Sequence, residues 1–154
     1  MVVTFCGHNE ISDVENIKPH LYTEIEKLIE DGADKFYLGG YGKFDLLAAQ
    51  AVCSLKKEQF PHIRSILVLP YLNREYDKAL YDETVYPPLE KVPLKFAISK
   101  RNEWMIDNSD AVVCYVVHSW GGAAASLNYA LRKKKRVIRI AGFSENDTDF
   151  MLDL

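Results

Sequence analysis

Glycine pairs stand at two points where the sequence predicts that a strand gives way to a helix. Gly39-Gly40 follow one apolar run and Gly121-Gly122 follow another. A helix start carries backbone N–H groups without intrahelical partners and the positive end of the helix dipole. Glycine, which has no Cβ, lets a ligand approach those groups closely. Both bends therefore have the chemistry to receive an anion such as phosphate.

Other candidate ligand contacts stand at the ends of the same predicted strands. Asp45 either accepts a ribose hydroxyl or favours the helix start, and His8 either donates to a ligand or caps a strand end. Trp120 and Tyr71 are candidates for stacking on a nucleobase. The full set of expected ligand-binding residues is Gly7, His8, Gly39, Gly40, Tyr41, Phe44, Asp45, Pro70, Tyr71, Arg101, Asn102, Ser119, Trp120, Gly121, Gly122 and Ala123.

Several established site patterns do not occur in the sequence. Neither glycine-rich bend has the GxGxxG spacing, and there is no GxxxxGK[ST] motif. There is also no metal-ligand spacing, no nucleophile elbow and no Ser/His arrangement. We therefore expect neither a standard dinucleotide site nor a P-loop, no metal, no resident cofactor and no assignable catalytic residue. Arg101 and Asn102 lie on a predicted helix and either grip a phosphate or face solvent.

The elements that position these residues follow from alternating apolar runs and segments of helical period. This alternation predicts the α/β class: a single Rossmann-like domain over 1–154, with a mainly parallel five-stranded sheet flanked by helices. The predicted strands are Val2–Cys6, Lys35–Leu38, Ser65–Leu69, Ala111–Val117 and Arg136–Ile140. The predicted helices are a segment around Leu21–Ile29, then Phe44–Glu58, Lys95–Ile106 and Ala123–Lys133.

In such sheets ligands bind beyond the carboxyl ends of the strands, where the candidate residues lie. The segment 70–93, which holds four of the six prolines, is expected to be a lid or binding loop, and 144–154 a tail.

Composition narrows the classes of protein and partner. The hydrophobic share of 48%, the charged share of 27% and the net charge of −3 are those of an ordinary globular protein. The net negative charge predicts that the chain has no nucleic-acid partner. The sequence has no cleavable leader pattern and no apolar run of about 18 residues, so we expect a cytoplasmic protein without membrane contact. The three cysteines lack CxxC spacing and are expected to be free thiols.

Five motifs in order resemble the SLOG superfamily, and within it the small stand-alone bacterial and phage proteins of the YpsA-like group. They are TFCGH, GGYGKFD, LVLPY, RNEWM and the second glycine pair with its small residues, and the resemblance runs from Thr4 to about Ile140. It implies a Rossmann-like sheet that binds nucleotides, nucleotide-derived signals or related sugars. It also implies a homo-oligomer, because pockets in that family are completed by a neighbouring subunit.

One branch of that superfamily, the lonely-guy cytokinin-activating enzymes, hydrolyses the N-glycosidic bond of nucleoside monophosphates. Arg101 matches its arginine and Gly121-Gly122 match its glycines, but Leu127 and Asn128 stand where its glutamate would fall. Glycoside cleavage generally needs a carboxyl group, so this departure argues against hydrolysis.

The leading interpretation is a binding protein that senses or sequesters a nucleotide-derived small molecule. The alternatives are an N-glycosidic hydrolase of the phosphoribohydrolase type and an interaction module whose glycines serve only the turns.

Overall fold

The computed structural model describes residues 1–140, and the expected tail 144–154 lies outside them. The strands are β1 Val2–Gly7, β2 Lys35–Leu38, β3 Arg64–Val68, β4 Glu83–Val85, β5 Ala111–Tyr115 and β6 Arg136–Arg139. The helices are α1 Val14–Glu30, α2 Gly42–Glu58, α3 Ala97–Asp107 and α4 Gly121–Arg132, with a short 3₁₀ turn at Leu94–Phe96 before α3.

All the strands pair in parallel in one six-stranded sheet of order β4-β3-β2-β1-β5-β6. The chain builds outwards from β1 to β4 and then returns to the other side of β1 for β5 and β6. The order therefore reverses between β1 and β5, which pair from Val3 with Ala111 to Gly7 with Tyr115. At such a switch point the connections leave in opposite directions and a crevice opens beyond the strand ends.

The α/β class with a parallel sheet flanked by helices is confirmed, but the expectation of five strands is wrong. The sixth strand, β4, lies inside the segment 70–93 that was expected to be a loop. It has only three residues, Glu83, Thr84 and Val85, and two of them are polar. Because β4 is a short edge strand with one paired side, it lacks the continuous apolar run that marks a strand buried on both faces.

Two helical layers enclose the sheet. One core cluster joins residues of α1 and α2, such as Leu21 and Leu47, to the sheet residue Phe5. The other joins α3 and α4 to the opposite face, where Leu127 packs in a cluster with Cys6. Phe5 and Cys6 are neighbours in β1 and point to opposite faces, as the pleat requires. Within residues 1–140, no helix has the length and apolar character needed to cross a membrane.

Candidate functional site

A cavity of about 610 Å³ opens at the carboxyl edge of the sheet, at the switch point between β1 and β5. Its walls come from the turns after β1 and β2, from α3, and from the turn after β5 with the start of α4. The expected residues that line it are Gly7, His8, Gly39, Tyr41, Asp45, Arg101, Asn102, Trp120, Gly121, Gly122 and Ala123. The structure thus brings both glycine bends to one cavity.

The remaining expected residues lie outside the lining: Gly40, Phe44, Pro70, Tyr71 and Ser119. Phe44 is fully buried and stacks on Tyr115 with ring centres 5.9 Å apart, so it belongs to the core beneath the site. Pro70 and Tyr71 follow β3, which is separated from the switch point by β2 and β1. The contribution of the other residues to ligand binding stays a prediction.

The first glycine turn is filled by a side chain of the chain itself. The Asp45 carboxylate accepts hydrogen bonds from the Gly40 N–H and, at 3.3 Å, from the Tyr41 N–H. Burial raises the pKa of Asp45, and the nearby Arg101 guanidinium together with these N–H donors opposes that rise. The Asp45 carboxylate therefore occupies the place where the sequence predicts a bound anion. Of the two interpretations of Asp45, this geometry matches the one in which it supports the start of the helix.

The first amides of α2 are also used within the chain. The Lys43 N–H donates to the Asn9 carbonyl at 2.8 Å, and the Phe44 N–H donates to the His8 carbonyl at 3.4 Å. Gly42 has a φ of +85°, and a Cβ placed there would lie 2.4 Å from Asn9 Oδ1 and 2.8 Å from Asn9 Cα. The start of α2 is therefore closed against the turn that follows β1.

Arg101 is a buried cation that joins the ends of two strands and also lines the cavity. Its side chain is 2% exposed, and Nη1 donates to the carbonyls of Gly39 and Val68, both at 2.8 Å, which joins the ends of β2 and β3. Nε donates to Asn102 Oδ1 at 2.9 Å. Burial lowers the pKa of Arg101 to about 10, so the guanidinium keeps its charge at neutral pH. In the described part of the chain, Nη2 forms no hydrogen bond, while Arg101 lines the cavity.

Sequence reasoning missed Arg74, which holds the first turn from the other side. Its Nη1 donates to the Gly39 carbonyl at 2.7 Å and its Nη2 to the Gly40 carbonyl. The guanidinium lies 3.7 Å from the centre of the Tyr41 ring, and that of Arg101 lies 5.5 Å from the same centre. These contacts span more than thirty positions along the chain, so no local pattern could indicate them.

The second glycine turn, at the start of α4, is open. No side chain caps α4, and within residues 1–140 the N–H groups of Gly121, Gly122 and Ala123 donate to no acceptor. A Cβ placed on Gly122 would meet nothing within 4 Å, and one on Gly121 would meet only His118 Cε1 at 4.0 Å. Because all three residues line the cavity, unpaired donors and the positive end of the helix dipole face an empty space of ligand size.

Three rings form a stacked column, the His8–His118–Trp120 stack, beside this helix start. The His8 and His118 centroids are 3.8 Å apart, and those of His118 and Trp120 are 3.9 Å apart. His8 Nε2 accepts a hydrogen bond from the Val117 N–H at 2.8 Å, which fixes the neutral ring with its proton on Nδ1. Burial and the neighbouring His118 lower the pKa of His8. Trp120 is 69% exposed, so its outer face is free to receive another ring.

Several lining residues were not among the expected ones: Phe5, Cys6, Asn9, Glu10, Gly42, Ile98, Met105, His118 and Ser126. His118 and Asn9 stand at strand ends, so the strand-end rule could have found them. Hydrogen bonding to Cys114 and burial raise the pKa of Cys6 well above its usual value, so it stays a thiol. Among residues 1–140, no group of three or more His, Cys, Asp or Glu side chains is arranged to hold a metal ion.

These features define the class of the protein: a Rossmann-like α/β protein with a donor-rich cavity at the switch point of a parallel sheet. The chain belongs to the SLOG family, since the YpsA model, described as the YspA SLOG family, matches residues 7–139. It is also 32% identical over 139 residues to the uncharacterized SPbeta prophage-derived protein YoqJ of Bacillus subtilis strain 168. That match covers 74% of this chain and 80% of YoqJ.

Solved structures of other proteins share the fold. DNA processing protein A (DprA) from Helicobacter pylori superposes with a TM-score of 0.69 at 19% identity, covering 99% of this chain and 72% of that one. DprA from Streptococcus pneumoniae superposes with a TM-score of 0.67 at 17% identity, covering 98% of this chain and 54% of that one. The Moco carrier protein of Chlamydomonas rheinhardtii superposes with a TM-score of 0.61 at 17% identity, covering 98% of this chain and 82% of that one.

The expectation that the chain has no nucleic-acid partner is wrong, because a protein of the same fold, DprA from H. pylori, has a described single-stranded DNA binding mode. A net charge of −3 does not exclude such a partner. Single strands are held by a local groove and by stacking on aromatic rings, and neither depends on the charge of the whole molecule. The expected homo-oligomer stays a prediction.

Proposed function

We propose that this protein binds a nucleotide or nucleotide-derived small molecule in the cavity between β1 and β5. The open start of α4 is the observation that carries the proposal. The α2 start in the same cavity is occupied by Asp45 and by carbonyls of the β1 turn, whereas the N–H groups of Gly121, Gly122 and Ala123 have no acceptor among residues 1–140. In this proposal the anionic group of the ligand accepts hydrogen bonds from those N–H groups.

Two side chains extend this site towards the rest of a nucleotide. Arg101 supplies a buried positive charge whose Nη2 has no hydrogen-bond partner in the described residues, so it can pair with a second anionic oxygen. Trp120 offers an exposed indole face, backed by His118, on which a nucleobase or another planar ring stacks.

The relatives support ligand binding without naming the ligand. The chain belongs to a SLOG family, and one protein of the same fold is a Moco carrier protein, which is a precedent for a carrier with this fold. We propose sensing or sequestration as the role, because Leu127 and Asn128 stand where the lonely-guy glutamate would fall and neither supplies a carboxyl group for hydrolysis. The three free thiols agree with the reducing cytoplasm.

One observation favours hydrolysis of an N-glycosidic bond as a second candidate. The carboxylates of Glu10 and Asp45 both line the cavity, and Glu10 is exposed, while Asp45 is held by the Gly40 and Tyr41 amides. Glu10 is therefore the side chain that would activate water. Incubation with nucleoside monophosphates then releases free base in the wild type and not in Glu10→Gln. An absence of base release at high protein concentration removes this candidate.

A thermal-shift panel tests the binding proposal. The probes are AMP, ADP-ribose, cyclic di-AMP and a single-stranded oligothymidylate. A ligand that binds only the folded state at about a hundred times its Kd stabilises that state by about 2.7 kcal/mol, so a bound probe raises the melting temperature by several degrees. Mass spectrometry of small molecules released from the purified, denatured protein identifies a ligand that co-purifies.

Two variants at one position show whether the start of α4 is the binding site. Gly122→Ala adds only a methyl group and is expected to weaken binding modestly, because the ligand approaches the amides less closely, whereas Gly122→Asp places a negative charge at the proposed anion site and is expected to abolish binding. Both variants should fold, since nothing lies within 4 Å of the added Cβ. Unchanged melting with every probe, or equal binding by Gly122→Asp and Gly122→Ala, would contradict the proposal.

A further inference from the structure

His118 is a polar residue of the cavity that has used none of its hydrogen-bonding capacity. Within residues 1–140, its Nδ1 is buried without a partner and its Nε2 forms no hydrogen bond either. Buried polar side-chain atoms are paired in the large majority of cases, and each exception requires an explanation. Asn128 Oδ1 is another such atom, but Asn128 does not line the cavity.

Among the described residues, stacking on two neighbouring rings holds the His118 ring in its position. The ring lies between His8, 3.8 Å away and tilted by 17°, and Trp120, 3.9 Å away and tilted by 15°. Both its faces are therefore covered and only its edge is available. The contrast with His8 is informative, because His8 Nε2 is engaged by the Val117 N–H. The two stacked imidazoles thus differ in their hydrogen bonds. His8 accepts one from the backbone, whereas the nitrogens of His118 have no partner among residues 1–140.

The edge of the His118 ring lies beside the open helix start. His118 Cε1, the atom between the two ring nitrogens, is 4.0 Å from the point that a Gly121 Cβ would occupy. A group accepting hydrogen bonds from the first amides of α4 is therefore next to this edge. A proton on the buried Nδ1 would be a donor without an acceptor, and orphaned buried donors are rarer than orphaned acceptors. The tautomer with its proton on Nε2 avoids this orphaned donor.

We propose that His118 is a specificity-determining ligand contact, which donates a hydrogen bond from Nε2 to the anionic group held at the start of α4. This inference rests on the proposed function and deepens it. The site selects ligands that combine a planar ring, stacked outside Trp120, with an anionic oxygen close enough to that ring to reach the His118 edge. A phosphate without a ring, or a nucleoside without a phosphate, satisfies only half of this arrangement.

Three substitutions at this position separate the hydrogen bond from the stacking. His118→Phe keeps an aromatic ring between His8 and Trp120 but removes both nitrogens. His118→Gln places an amide nitrogen near the position of Nε2, whereas His118→Asn places one near Nδ1. Isothermal titration calorimetry with ADP-ribose and cyclic di-AMP measures Kd; these phosphate diesters avoid the ionisation near pH 6 that a monoester undergoes.

We expect His118→Phe and His118→Asn to weaken binding about 10- to 100-fold, the loss that accompanies removal of a hydrogen bond to a charged group. His118→Gln should restore most of the affinity. The melting temperature of unliganded His118→Phe should equal or exceed that of the wild type, because the substitution removes a buried nitrogen without a partner. A residue with only a structural role would lower the melting temperature instead.

The outcomes distinguish this inference from the proposal beneath it. If the wild type and His118→Phe have equal Kd while Gly122→Asp does not bind, the role of His118 is wrong and the proposed function stands. A loss of affinity in His118→Phe that accompanies a melting temperature several degrees lower also contradicts the role. If the wild type binds neither calorimetric probe and shifts with no member of the thermal panel, both proposals fail.

Discussion

The two glycine turns each contain a glycine pair between a strand and a helix, but one is filled by side chains of the protein and the other is open. At the start of α2, Asp45 accepts hydrogen bonds from the preceding amides, and Arg74 and Arg101 hold the carbonyls of the turn. At the start of α4, no side chain of residues 1–140 caps the helix, and a Cβ on Gly122 would meet none of their atoms within 4 Å. Both turns meet at one cavity, so one wall is closed by the chain itself and the other is left for a ligand.

A single position accounts for much of the difference. Asp45 is the fourth residue of α2, which begins at Gly42, and the fourth residue of α4, which begins at Gly121, is Ala124. A carboxylate at this position reaches back to the amides that precede the helix, whereas a methyl group cannot accept a hydrogen bond. A glycine pair between a strand and a helix therefore indicates an anion site only where no acidic side chain of the first turn already fills it.

The largest effect is expected when the same substitution is made in both turns. Gly42→Ala places a Cβ 2.4 Å from Asn9 Oδ1 and 2.8 Å from the Asn9 backbone, at a φ of +85° that L-residues rarely adopt. We expect a loss of about 3 kcal/mol in the free energy of unfolding. Gly122→Ala, in open space within a helix, should instead stabilise by about 0.4–1 kcal/mol. Urea denaturation measures both, and equal losses would show that the turns do not differ in this way.

A second, smaller effect is expected when the filled turn is emptied. Asp45→Ala leaves the Gly40 and Tyr41 amides unpaired, and we expect it to cost about 2 kcal/mol in the free energy of unfolding. The vacated site then resembles the open turn, so inorganic phosphate should restore part of the lost stability in Asp45→Ala. The control is Asp107→Ala, which removes a carboxylate remote from both turns. Equal phosphate effects in the two variants would refute the idea that Asp45 stands in for an anion.

Continuous apolar runs made most of the sheet predictable. β1 and β5 are buried on both faces, so Val3 and Val113 each belong to a short apolar run of the kind that is typical of a buried strand. The helix starts were harder to place. Predicted starts at Phe44 and Ala123 fall two residues after the observed Gly42 and Gly121, because glycine is an unfavourable helix residue in isolation and these turns are stabilised by contacts distant in sequence.

The site was predictable to the extent that strand ends define it. The rule that ligands bind beyond the carboxyl ends placed His8 and Trp120 at the correct edge, and the family resemblance added Arg101, but neither gives the strand order. Tyr71 was expected at the rim because it follows a strand, yet β3 lies away from the switch point. Arg74 gave no local signal, because its contacts with Gly39 and Gly40 depend on how a distant segment folds back.

The smallest expected effect concerns pH and the open turn. Burial lowers the pKa of His8 in the folded protein, so the folded state binds fewer protons there than the unfolded state, in which the pKa is about 6.5. The contribution of neutral His8 to stability is therefore complete above about pH 6.5 and is lost as the pH falls below it. Protonation also turns Nε2 from an acceptor into a donor that faces the Val117 N–H, which weakens the turn leading to α4.

Urea denaturation at pH 7.5, 6.5 and 5.5 measures this effect against His8→Phe, which cannot titrate. The difference between the two pH profiles therefore reports the contribution of His8 together with its contact with His118. Below pH 6.5 we expect the free energy of unfolding to fall faster in the wild type than in the variant. The difference between the two slopes should be less than about 1.4 kcal/mol per pH unit. Parallel profiles for the wild type and His8→Phe would contradict this expectation, because they would mean that protonation of His8 does not weaken the open turn.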